Sequence, residues 1–408
     1  MLLPKSNSIF SDLFNVRIVS EMVPMAPFSD IIKQYKNMAQ VRPDIETFAK
    51  IKVIGVGGAG NNAVTRMVNA KIHGVDFIAV NADAQQLHNC AAPQKLLIGK
   101  NLTKGLGAGM NPDIGRQAAE ENRDEIQDLI KGADLVFVTY GLGGGVGTGA
   151  GPIVAEAAKD AGALTIGVVT KPFSFEGVQR SRIGEAGLEQ LKDRVDTLIT
   201  IPNDKILQII DRNTPLLEAF TTVDDVLRQA VQGISDIIVT PGIVNVDFAD
   251  VRAIMSNAGS ALMGIGKASG DDRATEAARA AINSPLLEIS IDGAKGVLFN
   301  VSGGTDLTMI EINEAAKIIT ESIDPEAKVI FGAVTDEKEM KKGEVKVTVI
   351  AAGFGDVPFR RKETEEKSRP EDIKKSALVK KTPSFEISQV KEEEEEWDIP
   401  AFIRRKMK

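Results

Sequence analysis

The sequence predicts an α/β fold with a doubly wound, mostly parallel sheet, a long central helix and a second, smaller α/β domain. From residue 51 onwards, short apolar runs alternate with helix-like runs, as in strand–helix–strand units. Two apolar runs, 51–56 and 135–139, are each followed by a glycine-rich loop and a helix-like run. Glycines let the backbone approach an anion closely, and the first N–H groups of a helix point at it. The richer loop, 141–151, therefore predicts a site for a nucleotide's phosphates.

The elements of the first half follow from its apolar pattern. Buried strands are predicted at 51–56, 76–81, 95–98, 135–139, 163–170 and 195–201. Helices are predicted from Asn62 and at 113–131, 152–161 and 181–192. This alternation is typical of a parallel sheet with helices on both faces.

A long helix is predicted to start at Thr214-Pro215, because threonine caps a helix and proline suits its first position. Apolar residues then recur at spacings of three and four as far as Ile237, which indicates burial between two layers. A second αβ region follows. Its strands are predicted at 259–266, 297–301, 327–333 and 344–351, and its helices at 271–283 and 309–322.

Composition limits the classes of function. The chain has 408 residues, 43% of them hydrophobic, which is enough for two domains and a tail. Its net charge of −8 disfavours nucleic acid as a partner. The single cysteine, Cys90, fits a reducing cytoplasmic compartment. No apolar run approaches the ~20 residues that span a bilayer, so we expect no direct membrane insertion.

Both ends of the chain differ from the body. We expect residues 1–46 to be a weakly organised extension and residues 356–397 a disordered, charged linker. Residues 398–408 bring apolar side chains together beyond that linker, which indicates either a frayed end or a docking peptide. The residues expected to dock are Asp398, Ile399, Pro400, Phe402 and Ile403.

The first glycine loop, 55–60, taken alone also fits a nicotinamide-dependent oxidoreductase. Asp76 and Asp83 both lie at the spacing at which such enzymes bind the ribose. The second loop counts against this alternative, because a dinucleotide site uses one such loop while two loops can surround one triphosphate. A P-loop NTPase is disfavoured, because the chain has no Gly-x-x-x-x-Gly-Lys-Ser/Thr motif.

Two carboxylates near the start of another predicted helix are candidates for activating water. Asp247 and Asp250 are three residues apart and lie near one helix face. The spacing fits helix capping equally well, with Asp247 as the cap and Asp250 at the third helical position. Both interpretations stay open on spacing alone.

Seven motifs, in order, resemble the tubulin/FtsZ family. The loop 143–149, GGGVGTG, is similar to the family signature GGGTGTG, and the end of the chain, DIPAFI at 398–403, looks like the tail peptide of the bacterial members. The resemblance covers roughly residues 48–355 and the last eleven. The other motifs are GGAGNN at 57–62, GLGAGMNP at 105–112, TKPFSFEG at 170–177, IPND at 201–204 and NVDFAD at 245–250.

The resemblance implies a self-assembling GTPase that polymerises head to tail into cytokinetic ring filaments at mid-cell. It implies GTP and GDP as ligands, with Mg²⁺ held mainly by phosphates and water. Its partners would be further copies of itself and, through the tail, membrane-adaptor division proteins. It divides the chain into a GTP-binding domain at 47–214, a central helix at 215–240 and a C-terminal activation domain at 241–355.

The resemblance also assigns site residues. Glu176 and Arg180 would hold the ribose, Asn203 and Asp225 would bind guanine, and Phe220 would stack on the base or pack in the core. Asn245, Asp247 and Asp250 of one subunit would be catalytic at the GTP of the next. The residues expected around the phosphates, with Asn81 and Asp83 counted in the same site, are Gly57, Gly58, Asn62, Asn81, Asp83, Ala108, Gly109, Met110, Gly143, Gly144, Gly145, Val146, Gly147 and Thr148.

Two residues depart from the family pattern. Val146 stands where threonine is usual, so a hydroxyl that could bind phosphate is lost. One lost hydrogen bond is typically worth about 0.5–1.5 kcal/mol, so we expect GTP to bind, with weaker affinity or slower turnover. A tubulin-like protein that binds nucleotide without hydrolysing it is the corresponding alternative. Tyr140 stands where a small residue is usual.

Overall fold

The computed structural model describes residues 49–211, 213–239, 246–287, 290–335, 340 and 342–354. Within these ranges the chain forms ten β-strands and twelve α-helices. None of the described helices combines the length and the apolar character needed to cross a membrane. The N-terminal extension, Asn245, the linker at 356–397 and the tail peptide at 398–408 lie outside the described residues.

The first six strands confirm the predicted parallel sheet. They are β1 (Ile51–Val56), β2 (Val75–Asn81), β3 (Gln94–Leu97), β4 (Leu135–Gly141), β5 (Leu164–Lys171) and β6 (Thr197–Pro202). Their order in the sheet is β3-β2-β1-β4-β5-β6, and every neighbouring pair is parallel. Strands β1, β2 and β3 follow one another toward one edge of the sheet, and β4, β5 and β6 toward the other. The chain therefore reverses its direction across the sheet between β1 and β4.

Helices cover both faces of this sheet. They are α1 (Gly57–Asn69), α2 (Ala84–Asn89), α3 (Lys100–Thr103), α4 (Pro112–Glu121), α5 (Arg123–Ile130), α6 (Gly145–Asp160), α7 (Val178–Lys192) and α8 (Asn203–Ile206). The prediction of one helix at 113–131 is wrong, because the chain breaks at Asn122. The side chain of Asn122 accepts the N–H of Gly99 at 2.8 Å and donates to the Glu125 carboxylate at 3.0 Å, and it makes no capping hydrogen bond to the backbone of α5.

The glycines of the 141–151 loop also allow two helices to pack closely. Helix α6 begins at Gly145, well before the predicted start at residue 152. A Cβ atom on Gly149 would lie 2.0 Å from the carbonyl oxygen of Pro112, and one on Gly115 would lie 2.3 Å from that of Gly145. Since such distances are sterically forbidden, glycine is needed there for the contact between α4 and α6 as well as for the approach of a ligand.

The central helix, α9 (Leu216–Val239), is buried as its apolar stripe predicts. Residues at helical spacing along it join the largest core cluster of the protein, while Leu217 and Phe220 near its start remain exposed. The buried stripe consists of Val223, Val226, Leu227, Ala230, Val231, Ile234 and Ile237.

The second αβ region continues the same sheet. It contains α10 (Phe248–Met255), β7 (Gly259–Ser269), α11 (Arg273–Ile282), β8 (Gly296–Gly303), α12 (Met309–Glu321), β9 (Lys328–Thr335) and β10 (Glu344–Ala352), in the sheet order β7-β10-β8-β9. Strand β10 is antiparallel to β7 and β8. Only three residue pairs join β6 to β7, and a separate apolar cluster lies under α11 and α12. This is the predicted smaller α/β domain.

Tyr140, the second departure from the family pattern, is fully buried beneath α6. A Cβ atom on Gly151 would lie 2.2 Å from its ring, so the ring fills space that this glycine leaves open. Its hydroxyl has no hydrogen-bond partner among the described residues, and burial raises its pKa. A buried polar group without a partner lowers stability. In Tyr140 the ring fills the space, while the unpaired hydroxyl lowers the free energy of unfolding.

We therefore expect Tyr140→Phe to stabilise the protein. Removing an unsatisfied buried hydroxyl while keeping the ring should raise the free energy of unfolding by about 1–2 kcal/mol. Urea unfolding of the two proteins measures the difference, with Tyr140→Ala as the control that opens a cavity and destabilises. A less stable Tyr140→Phe protein would mean that the hydroxyl is bonded in solution.

Candidate nucleotide-binding site

A cavity of about 530 Å³ lies at the carboxyl ends of the parallel strands. Its walls include the residues that follow β1 and β4, the two strands between which the chain reverses direction. In doubly wound sheets the crevice for a ligand forms at this position, because the loops after the two strands turn to opposite faces. Its volume is in the range of small-molecule and cofactor sites.

Most of the predicted nucleotide residues line this cavity. Gly57, Met110, Gly143, Thr148 and Asp225 do not. Lining residues without a predicted role include Gln86, Leu106, Thr170, Pro172, Val223 and Asp224. The predicted residues that line it are Gly58, Asn62, Asn81, Asp83, Ala108, Gly109, Gly144, Gly145, Val146, Gly147, Glu176, Arg180, Asn203 and Phe220.

The two glycine loops touch each other at the floor of the cavity. Gly57 begins α1 with a φ of +67°, and a Cβ atom there would lie 2.9 Å from the backbone nitrogen of Gly147. Glycine is thus required by both conformation and space. The N–H of Gly145, the first of α6, already donates to the carbonyl oxygen of Gly109 at 3.1 Å. The other first-turn N–H groups of α1 and α6 have no carbonyl partner within their own helices, so they are suited to bind an anion.

A chain of side-chain amides supports the first loop. With its amide oriented to satisfy both of its ends, Asn61 donates to the carbonyl oxygens of Gly55 and Gly57 and accepts from Asn81 at 3.0 Å. Asn81 also donates to Gln86 at 3.0 Å, and the Gln86 amide lies over Gly58. The sequence pattern gives no signal for Gln86, because it is one of two adjacent glutamines on a short helix.

In the second loop, the predicted phosphate-binding residue Thr148 forms a hydrogen bond within the loop. The Thr148 hydroxyl, buried in α6, accepts the backbone N–H of Gly143 at 3.0 Å. Thr148 and Gly143 thus hold the loop closed, which explains why neither lines the cavity. Val146, in contrast, does line it and places a methyl-bearing side chain at the phosphate end.

At the opposite end of the cavity the lining favours Asp224 over the predicted Asp225. The side chain of Asp225 does not line the cavity; it accepts from Arg228 at 2.7 Å and from Gln229 on the surface of α9. Asp224 lines it instead, and burial raises the pKa of Asp224 to about 6. On a helix, residues four apart share a face, so Asp224 lies on the same side as Phe220 while Asp225 is turned away.

Aromatic and amide groups accompany Asp224. Phe220 is 38% exposed and contacts the buried Phe173 edge to face, with centroids 5.5 Å apart. It therefore both anchors on the core and leaves ring surface for a base. The side-chain oxygen of Asn203 is buried without a partner among the described residues. Such a group, lining the same cavity as a carboxylate, suits the polar edge of a base.

An ion pair beside a short 3₁₀ turn completes the wall. Glu176 ends this turn, Ser174–Glu176, and accepts the N–H of Phe173 at 3.0 Å. Arg180, one helical turn later, donates to the other oxygen of Glu176. The pair therefore presents a fixed carboxylate to the cavity, and its role toward the ribose stays a prediction.

The acidic pair Asp247 and Asp250 does not line this cavity. Asp247 is the N-cap of α10, and its carboxylate accepts the backbone N–H of Asp250 at 2.9 Å. The capping interpretation is therefore correct for Asp247. Both side chains are exposed, and the Asp250 carboxylate is not needed for the cap.

Fold and cavity together define a nucleotide-binding α/β protein with a double glycine cradle. Residues 50–211 match the GTPase domain of the Tubulin/FtsZ family, and residues 259–355 match the C-terminal domain of the FtsZ family. The chain belongs to the FtsZ family and is a GTPase. The oxidoreductase alternative is wrong.

Solved structures agree with this assignment. An empty FtsZ dimer from M. jannaschii is 44% identical, with 85% of this chain and 100% of that chain covered and a TM-score of 0.73. A point mutant of M. jannaschii FtsZ is 46% identical over 80% and 96%, also with a TM-score of 0.73. CetZ2 from Haloferax volcanii, solved as a GTPγS-bound protofilament, is 20% identical over 74% and 92% with a TM-score of 0.64, and shows the shared fold.

Proposed function

We propose that this protein polymerises head to tail into the filaments of a cytokinetic ring and hydrolyses GTP between adjacent subunits. One observation carries the proposal. The cavity contains groups for phosphate, ribose and base, whereas the acidic pair that could activate water is exposed and lies outside the cavity lining. A site divided in this way becomes complete when a second copy supplies the missing part. The relatives solved as a dimer and as a protofilament support self-association.

Each region of the cavity then has a role toward GTP. Amides at the starts of α1 and α6 bind phosphate oxygens, and Glu176 binds ribose hydroxyls. Asp224 accepts from the N1–H and exocyclic amine of guanine, two donors that adenine does not offer together. Asn203 contacts the same base, and Phe220 stacks on it. Mg²⁺, held mainly by phosphates and water, would offset negative charge when bound.

The water-activating groups come from the neighbouring subunit. Asp250 presents an exposed carboxylate that can orient the attacking water and accept its proton. Asp247 holds the helix start in place through its cap while one of its oxygens remains available for the same water. Asn245, outside the described residues, belongs to the same loop in this proposal.

The remaining parts of the proposal come from the sequence. We assign residues 47–214 to GTP binding, 215–240 to the connecting helix and 241–355 to the domain that activates the neighbour. The tail residues 398–408 bind a membrane-adaptor protein, and the filament lies in the cytoplasm at the division site.

The proposal predicts that GTPase activity per molecule rises steeply with protein concentration. A lone subunit lacks the neighbour's Asp250, so turnover should follow the amount of polymer. Phosphate release and pelleting, measured in parallel from below to above the assembly threshold with GTP, GDP and ATP, test this. Only GTP should support both polymer and turnover. A specific activity that does not depend on concentration would contradict the divided site.

A further inference from the structure

Arg66 on α1 contacts the carboxylate of Asp224, which lines the cavity, while Arg66 itself does not line it. Arg66 Nε lies 3.3 Å from Asp224 Oδ2, and Arg66 Nη2 donates to the hydroxyl of Thr221 at 2.7 Å. That hydroxyl donates in turn to the carbonyl oxygen of Leu217 at 2.8 Å, so its lone pair is turned toward Arg66. The guanidinium is thus fixed at two points on α9.

None of the other charged side chains that line the cavity takes the place of Arg66 beside the Asp224 carboxylate. Burial is the largest influence on the pKa of Asp224 and raises it, Arg66 lowers it, and Asp225 on the same helix raises it slightly. Asp83, Glu176 and Arg180 belong to other walls of the cavity, and Arg180 is paired with Glu176. Arg66 is therefore the cation that stabilises the ionised form of Asp224.

We propose that Arg66 is a positioning residue for nucleotide selection: it holds Asp224 ionised and oriented so that both oxygens can accept from guanine. The inference rests on the proposed GTP-binding function. A carboxylate has about four acceptor positions, so the bond to Arg66 leaves enough for the two guanine donors. Arg66 lies on the helix that follows the first phosphate loop, and it thereby ties the phosphate end of the site to the base end.

The proposal has a consequence for pH. A protonated Asp224 would direct an O–H donor at a base edge that itself carries donors, so guanine binding needs the ionised form. GTP affinity should therefore fall as pH decreases through about 6, the pKa of Asp224. The stability of the ligand-free protein should depend on pH in the opposite direction to GTP affinity. Because the folded pKa of Asp224 is raised, the contribution of Asp224 to stability is present at low pH and is lost as pH rises through about 6.

Without Arg66, the pKa of Asp224 should rise further, and the loss of GTP affinity should begin at a higher pH. A shift of one unit corresponds to about a tenfold change in the ionised fraction well below the pKa. For a rise of one unit, we expect Arg66→Leu to bind GTP roughly threefold more weakly than wild type at pH 6.5, roughly eightfold more weakly at pH 5.5, and within about twofold of it at pH 8.5. Discrimination between GTP and ITP, which lacks the exocyclic amine, should also decrease.

The test is a GTP and ITP competition titration against a fluorescent GTP analogue, with the full-length chain, from pH 5.5 to 8.5. Arg66→Lys should recover most of the wild-type profile. Arg123→Leu, which breaks an ion pair with Glu156 away from the cavity, is the matched control and should leave the profile unchanged. An unshifted midpoint in Arg66→Leu, or an equal loss of affinity at every pH, would overturn the proposal. Wild-type protein that does not bind GTP would instead overturn the proposed function itself.

Discussion

Asp250→Asn is expected to reduce GTP turnover by about 10²–10⁴-fold, the usual contribution of a positioned general base, and to leave GTP binding almost unchanged. The Asp250 side chain is exposed, lies outside the cavity and does not form the cap of α10, which uses its backbone N–H. Asparagine therefore keeps the helix start and removes only the basic oxygen. Phosphate release at a concentration at which the protein pellets measures the turnover, and equilibrium binding measures the affinity.

A matched control and a mixing experiment make the result specific. Asp271→Asn changes an exposed carboxylate in the turn before α11 and should have no effect. Mixing Asp250→Asn with Asp224→Ala should restore part of the activity, because GTP bound to the first protein can face the intact loop of the second. If the mixture copolymerises and remains inactive, the two halves of the site do not act across a subunit contact.

The sequence predicted the strands and the position of the cavity because few alternatives fit the pattern. Buried parallel strands appear as continuous apolar runs, and a glycine loop after such a run places backbone amides at one edge of the sheet. All six strands of the first half confirmed this, with ends that differ from the predicted ones by at most two residues. The break at Asn122 was missed, because the apolar spacing continues through it and the contact of Asn122 with Gly99 is tertiary.

The predicted site residues and the cavity lining differ where the orientation of a side chain decides its position. A motif match locates a segment but does not say which face of a helix each side chain occupies. Adjacent side chains on a helix point in directions about 100° apart around its axis. Asp224 and Asp225 could have been separated by their spacing from Phe220, since only Asp224 is one helical turn away. Gln86 and Thr148 could not have been assigned in this way, because their orientations depend on hydrogen bonds to Asn81 and Gly143, residues five positions earlier that do not belong to the same helix.

Asp224→Asn is expected to change which nucleotide the protein prefers. A carboxylate offers two acceptors, which match the N1–H and amine donors of guanine. Asparagine offers one acceptor and one donor, which match xanthine, where a carbonyl oxygen replaces the amine. Losing one bond to a charged acceptor and facing donor against donor should weaken GTP binding by about 100-fold, since each charged hydrogen bond is worth roughly 1.5–3 kcal/mol. XTP should then bind more tightly than GTP.

The neighbouring residue provides the control for this exchange. Asp225→Asn alters a carboxylate that pairs with Arg228 on the outer side of the same helix, so it should keep the preference for GTP. Competition of GTP and XTP for each protein measures the two affinities directly. If Asp225→Asn changes the preference and Asp224→Asn does not, the base is read from the other face of α9. The Arg66 contact would then have no part in nucleotide selection, because it reaches Asp224 and not Asp225.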